Sequence, residues 1–150
     1  MSQRLAGKTA LVTAAAAGTV HVVTDVVDLD ISLAGGELRR ADLLAYPLVK
    51  NQPQPVRLLS RDSAEALFVV QTGLAGVGDA AAPTHQALFT SNASELRLTD
   101  GQDELKVPLT WDDGQGVTVT KTYTFRRGSY QVDIDYRVEN MGAEPWSFAS

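Results

Sequence analysis

The chain contains no cysteine. That removes disulfide cross-links, thiolate nucleophiles and thiolate metal ligands, and it leaves the redox compartment unassigned. Histidine is nearly as scarce, with two in 150 residues. Basic side chains are outnumbered, 13 Lys and Arg against 18 Asp and Glu, giving a net charge of −5 and a pI near 4.9. No basic surface is available to neutralise phosphates, so nucleic acid is excluded as the main partner. Long apolar runs are also missing: nothing approaches the ~20 residues a bilayer-crossing helix needs. What remains is 44% hydrophobic and 21% charged residues, the balance of a folded globular domain large enough for one core.

The clearest pattern lies between Val117 and Glu139. Val117, Val119, Lys121, Tyr123 and Phe125 alternate with Thr118, Thr120, Thr122 and Thr124, the period of two that gives a strand one inward face. After Arg126-Arg127-Gly128-Ser129, Val132, Ile134, Tyr136 and Val138 alternate with Asp133, Asp135, Arg137 and Glu139. Together they predict a β-hairpin. Two strands are marginal alone, so the rest of the chain is expected to supply sheet against them.

Residues 1–18 are alanine-rich and read as a linker or a leftover leader with the composition of a disordered segment, ahead of a β-sandwich domain over residues 19–150. From Thr19 the chain predicts strands at Thr19 to Asp25 and at Val27 to Leu33. Gly35-Gly36 forms a turn, and a returning strand runs from Leu38 to Leu44. Lys50 to Val56, with Pro53 and Pro55, reads as extended surface, Arg57 to Leu59 as a brief edge strand and Ala66 to Thr72 as a buried strand. Gly73 to Thr84 reads as a long binding-type loop. Short strands are expected at Ala87 to Thr90 and Glu95 to Thr99. Leu105 to Trp111 carries Pro108, which lacks a ladder donor and so marks an edge strand or a bulge. The chain ends where Trp146-Ser147-Phe148 opens another alternating segment, which reads as a fragment of a longer domain.

Two resemblances bear on function. Arg4-Leu5-Ala6-Gly7-Lys8-Thr9-Ala10-Leu11-Val12-Thr13 resembles the first strand of short-chain dehydrogenases, and Tyr46 and Lys50 share that family's Tyr-x-x-x-Lys spacing, with Ser32 upstream. The glycine-rich turn is damaged, with Ala14 and Val20 at glycine positions, and Pro47 biases Tyr46 away from the helix the pair requires. The second is broader. Val22-Val23-Thr24-Asp25 through Gly35-Gly36-Glu37-Leu38, then Leu43-Leu44-Ala45-Tyr46-Pro47, Gln71-Thr72-Gly73-Leu74, Gly101 through Thr110, Lys121 through Tyr130 and Tyr136-Arg137-Val138-Glu139-Asn140 resemble, in order, the start of the periplasmic domain of the YidC family of bacterial membrane insertases.

That resemblance implies an all-β, antiparallel sandwich, part of a super-sandwich like that of galactose mutarotases and here incomplete. It implies a periplasmic position tethered to the inner membrane, and a non-catalytic interaction and chaperone role in inserting inner-membrane proteins. Implied partners are Sec translocon components and nascent inner-membrane proteins. The family's functional arginine lies among membrane helices absent from this sequence, so Arg126 and Arg127 are not its counterparts. No cofactor is implied. The alternative is a carbohydrate-binding mutarotase-like module, which would need an acid and base facing across a sheet. His21 and His85 are the available histidines and read as surface residues. Asp28 with Asp30, and Asp100, Asp103, Asp112 and Asp113, read as solvated strand and turn residues, since none fits a twelve-residue calcium loop. Trp111, Trp146, Tyr123 and Tyr136 are candidates for stacking on a sugar or peptide, with core packing the plainer role. Open strand edges of an incomplete sandwich predict self-association.

Overall fold

The computed structural model describes residues 18–61 and 67–150. Among them are ten strands and no helix, and so no helix long and apolar enough to cross a membrane. The Ala-rich run and most of the dehydrogenase-like strand and turn lie outside the described residues.

One sheet is built from β1 (Thr19–Val23), β2 (Val27–Ser32), β3 (Glu37–Pro47), β4 (Pro55–Leu59) and β6 (Glu95–Arg97), in the order β4-β3-β2-β1-β6. The second is an unbroken antiparallel meander of β7 (Glu104–Asp112), β8 (Val117–Arg126) and β9 (Val132–Asn140). A two-stranded patch joins β5 (Ala75–Gly76) to β10 (Phe148–Ala149). The predicted hairpin is β8 and β9, paired from Val117↔Asn140 to Phe125↔Val132 without a register break. All pairs are antiparallel except β1 with β6, which run parallel.

Alternation decides which faces meet. Val20, Val22, Val27, Leu29, Ile31, Leu38 and Ala41 of the first sheet pack on Leu105, Val107, Leu109, Tyr123 and Phe125 of the second, with Phe89 between them. A β-bulge in the β2–β3 register keeps that face apolar: Ile31 pairs with Leu38 but Asp30 with Arg40, leaving Arg39 as the extra residue. Without it, Arg40 would share the inward face of Leu38. The segment before β6 fastens the layers together. Phe89 N–H donates to Leu33 O at 2.8 Å, and Thr90 and Thr110 exchange main-chain bonds of 2.8 and 2.9 Å.

Three expectations need correction. Residues 67–70 are not a buried strand: they make isolated bridges only, Phe68 to Ser60 and Val70 to Leu38, and Phe68 is 63% exposed. The apolar run lies across the end of the first sheet, with too few ladder bonds to bury it. Ala87 to Thr90 likewise makes only isolated bridges, because it crosses between the layers. The loop after Gly73 holds the short strand β5. Pro108 takes the edge-strand option, since β7 pairs with β8 in continuous register through Pro108↔Thr122.

Candidate functional site

The inward parity of β8 carries Lys121 into the interior, where it is fully buried. Its Nζ donates to Gly36 O at 2.7 Å and Thr72 O at 3.1 Å, and reaches Gly35 O at 3.5 Å. The rings of Tyr123, Phe89 and Tyr136 lie 5.2, 5.7 and 5.7 Å from the same atom, in range for cation–π attraction. The Tyr123 hydroxyl donates to Gly36 O as well, and Tyr136 Oη and Thr72 Oγ1 share a 2.9 Å hydrogen bond. Burial pushes the Lys121 pKa down to about 8, opposed by the charge of Glu37. Burial likewise pushes the Tyr123 hydroxyl well above its ordinary value.

This cage depends on a close approach that only glycine permits. Gly35 and Gly36 have φ of 77° and 56°, and a Cβ on Gly35 would stand 2.2 Å from His85 O. Lys121 thereby ties the β2–β3 turn and the Thr72 loop to the second sheet. Beside the turn, buried Glu37 accepts from Gln71 Nε2 at 2.6 Å and Arg39 Nε at 2.7 Å. Burial raises its pKa, but Gln71 and Arg39, with Arg61, outweigh that and hold it below the usual carboxylate range.

The outer face of the first sheet carries a charge ladder. Arg40 donates to Asp28 at 2.5 Å, Asp30 at 2.6 Å and Asp42 at 2.7 Å, and Arg57 Nε reaches Asp42 at 2.8 Å. Arg57 lowers the Asp42 pKa most, burial opposes it, and Arg40 adds to the lowering. His21 stands at the ladder's end, its Nε2 3.2 Å from Asp28 and its Nδ1 3.5 Å from Asp30.

Two clefts flank this framework. One of about 520 Å³ is lined by Gln71, Thr72, Gly73, Leu74, His85 and Gln86, on the far side of the loop that Lys121 holds. The other, about 280 Å³ and almost wholly apolar, opens between the sheets among Leu29, Leu43, Leu59, Tyr130, Val132 and Ile134. It offers shape and an apolar surface, with the Tyr130 side chain in its lining.

The structure separates the histidines: His21 lies on the outer face of the first sheet and His85 in the first cleft. Asp28 and Asp30 serve the Arg40 ladder. Asp112 accepts from Gly114 N–H at 2.6 Å, and Asp113 from Gln115 and Val117 N–H at 2.7 and 2.9 Å, fixing the β7–β8 turn. Asp103 holds Arg127 N–H through its carbonyl, and Asp100 lies in the adjoining turn. Among the described residues no group of three or more histidines and carboxylates is arranged for a metal ion. Tyr123 is core; Trp111, Tyr136 and Trp146 are partly buried against Leu74, Val117 and Val119, and Trp146 Nε1 donates to Ala81 O at 2.8 Å. Tyr46 is the last residue but one of β3 and Lys50 lies in the following turn, both exposed, so the Tyr-x-x-x-Lys spacing falls on no helix. Arg126 pairs with Asp133, and Arg127 donates to Gln102 O and Thr99 O at 2.9 and 2.7 Å. Sequence reasoning missed the roles of Lys121, Glu37 and Arg40. The one available signal was Lys121 standing in the apolar phase of its strand.

Together the two packed sheets define an all-β domain of sandwich type. A family model described as the YidC periplasmic domain matches residues 19–150, and the chain belongs to that family. Curated relatives named membrane protein insertase YidC include that of Methylococcus capsulatus, 50% identical over 129 residues, covering 85% of this chain and 23% of the relative. That of Thioalkalivibrio sulfidiphilus is 49% identical over 134 residues, covering 85% and 24%. That of Alkalilimnicola ehrlichii is 44% identical over 128 residues, covering 85% and 22%. The chain thus spans about a quarter of the length of the relatives it matches.

Proposed function

We propose that this chain is a periplasmic portion of a membrane protein insertase of an inner membrane, and that within it the sandwich acts as a non-catalytic interaction module that assists insertion and folding. The observation that carries the reading is the match of one family across every described strand, residues 19–150. The apolar groove between the sheets supports it, since such a surface receives an apolar segment of another polypeptide. Nascent inner-membrane proteins are the proposed clients, and Sec translocon components the proposed neighbours.

A chimaera tests the proposal. The segment of the Methylococcus capsulatus insertase that aligns with residues 19–150 is replaced by this chain, and the host's own insertase is depleted. Growth and insertion of an inner-membrane reporter at the parental level are expected. A chimaera that accumulates to normal amounts yet fails to insert the reporter would refute a shared role.

A further inference from the structure

Gln71 and Thr72 are adjacent, and each is held by a buried charge of opposite sign. Gln71 Nε2 donates to Glu37 Oε2 at 2.6 Å, and Lys121 Nζ donates to Thr72 O at 3.1 Å. Glu37 and Lys121 are 3% and 0% exposed and belong to different sheets, so the segment is gripped from both layers. The two grips depend on pH differently. Burial raises the Glu37 pKa, but Gln71, Arg39 and Arg61 outweigh that and hold it below the usual carboxylate range, so its grip keeps its charge at neutral and basic pH. Lys121 shares its three N–H groups among Gly36 O at 2.7 Å, Thr72 O at 3.1 Å and Gly35 O at 3.5 Å. Once neutral, it has two N–H groups and a lone pair for the same oxygens, and bonds from an ionised donor are roughly twice as strong as neutral ones. Gly36 O keeps the Tyr123 hydroxyl in either state. Thr72 O has no other donor among the described residues, so it is the contact that rests on the lysine's charge.

We propose that Lys121 is a proton-controlled latch: its ammonium holds Thr72 O against the second sheet, and loss of the proton frees that carbonyl and shifts the cleft wall formed by Gln71, Thr72, Gly73 and Leu74. The groups around the lysine set the direction. Burial lowers its pKa to about 8, opposed by Glu37 on β3, so the latch is shut below that pH and loosens above it. Tyr123 on β8 and Tyr136 on β9 have pKa values raised chiefly by burial and stay neutral throughout. Arg39 and Arg61 reach Glu37 Oε1, Phe89 offers a ring, and His85 lines the cleft with its carbonyl beside the Gly35 turn. The Thr72 hydroxyl stays with Tyr136 Oη at 2.9 Å, so the segment shifts without coming away. Every one of these contacts is made between residues 35 and 136, and none depends on the proposed function.

Carbon-detected NMR of the 13C-labelled chain from pH 6.5 to 9.5 tests the latch. The Thr72 carbonyl carbon and Lys121 Cε should follow one titration with a midpoint at about 8, while the side-chain carbonyl carbon of Gln71 stays still. Cα relaxation at Gly73 and Leu74 should show the wall gaining motion across the same midpoint. Glu37→Gln removes the charge that supports the ammonium, so both midpoints should move to lower pH together. Lys121→Met should leave the Thr72 carbonyl flat, at the position that wild type reaches at high pH. Circular dichroism checks that each variant is folded, and the wild-type titration decides by itself if one is not. A Thr72 carbonyl that stays put while Lys121 titrates overturns the proposal, as does a wall that gains no motion or a Lys121 that keeps its proton to pH 9.5. So do midpoints that stay put or separate in folded Glu37→Gln, or a Thr72 carbonyl that still titrates in folded Lys121→Met.

Discussion

Lys121 offers the sharpest quantitative test of how this fold is held. Burial lowers its pKa from the ordinary 10.5 to about 8. A lysine depressed in the fold but ordinary in the unfolded chain is neutral when folded and charged when unfolded across that interval. The unfolded state then binds the extra proton, so stability must rise with pH from about 8 towards 10.5 and stay flat below 8. At ~1.4 kcal/mol for each pH unit, the full interval corresponds to about 3 kcal/mol. Only the lower part is open to measurement, because Tyr123 and Tyr136 have raised pKa values, in both cases chiefly from burial. Above the ordinary tyrosine value of 10.0 they keep their protons while the unfolded chain loses them, and stability turns down.

Urea unfolding at pH 7.5 and 9.5, followed by circular dichroism, should therefore show the wild type gaining roughly 2 kcal/mol over those two pH units. Lys121→Met separates the effects. The thioether fills the space and carries no charge, so the gain should vanish. At pH 7.5 the variant also leaves Thr72 O and the more distant Gly35 O without this donor, while Gly36 O keeps the Tyr123 hydroxyl. Losing these two bonds, one part-buried and one long, costs about 1–3 kcal/mol, and relief of the buried charge offsets it by a similar amount. The variant is thus expected within about 1 kcal/mol of wild type at pH 7.5 and less stable at pH 9.5. A flat wild-type profile, or a gain that persists in Lys121→Met, would refute the assignment.

Other substitutions probe the parts this lysine joins. Gly35→Ala should cost about 2–4 kcal/mol in urea unfolding, because a Cβ meets His85 O at 2.2 Å at a φ of 77°; a loss below about 1 kcal/mol would show that the turn yields easily. Phe89→Ala removes a ring 1% exposed between the sheets and should cost about 3–4 kcal/mol by the same assay. Arg40→Met leaves Asp28 beside Asp30 without their shared arginine and Asp42 with Arg57 alone, and should cost about 2–3 kcal/mol at pH 7. Asp42 is held below its ordinary 3.8, by Arg57 first, against burial, and then by Arg40. The wild type therefore keeps that stabilisation above the ordinary 3.8 and loses it as pH falls further, so the gap to Arg40→Met should narrow only below that pH; a gap that stays constant there would mean the ladder acts through packing alone.

Much of this fold was legible because period-two alternation is a direct record of burial. The β8–β9 hairpin and the β2–β3 pair with its Gly35-Gly36 turn follow from residue pattern alone, while pattern left Pro108 to an edge strand or a bulge and the unbroken β7–β8 register decides for the edge. Residues 67–70 misled for a definite reason. Leu67, Phe68, Val69 and Val70 have strand chemistry, but burial is set by what the rest of the chain lays over them, and Phe68 is left 63% exposed. The bulge at Arg39 was equally hidden: in a regular strand Leu38 and Arg40 share a face, and only the pairing with Asp30 shows otherwise.

The interior site shows where pattern reading stops. Lys121 stands in the apolar phase of β8, and that signal was on the page as a violation of parity. A violation says that a charge goes inward, but not what meets it. The partners are carbonyls at Gly36 and Thr72, and main-chain acceptors carry no sequence signature. Both come from loops far from residue 121, brought together only when the two sheets pack. The cage therefore exists only after the sandwich has formed, and the lysine senses assembly of the whole rather than of its own strand. It follows that a variant that loosens the sheets anywhere between Phe89 and Leu109 should return the Lys121 pKa towards 10.5. Titrating 13C-labelled lysine Cε by NMR in Phe89→Ala would detect that shift; an unmoved Lys121 in a folded Phe89→Ala would mean that the loops hold the cage without the core beneath it.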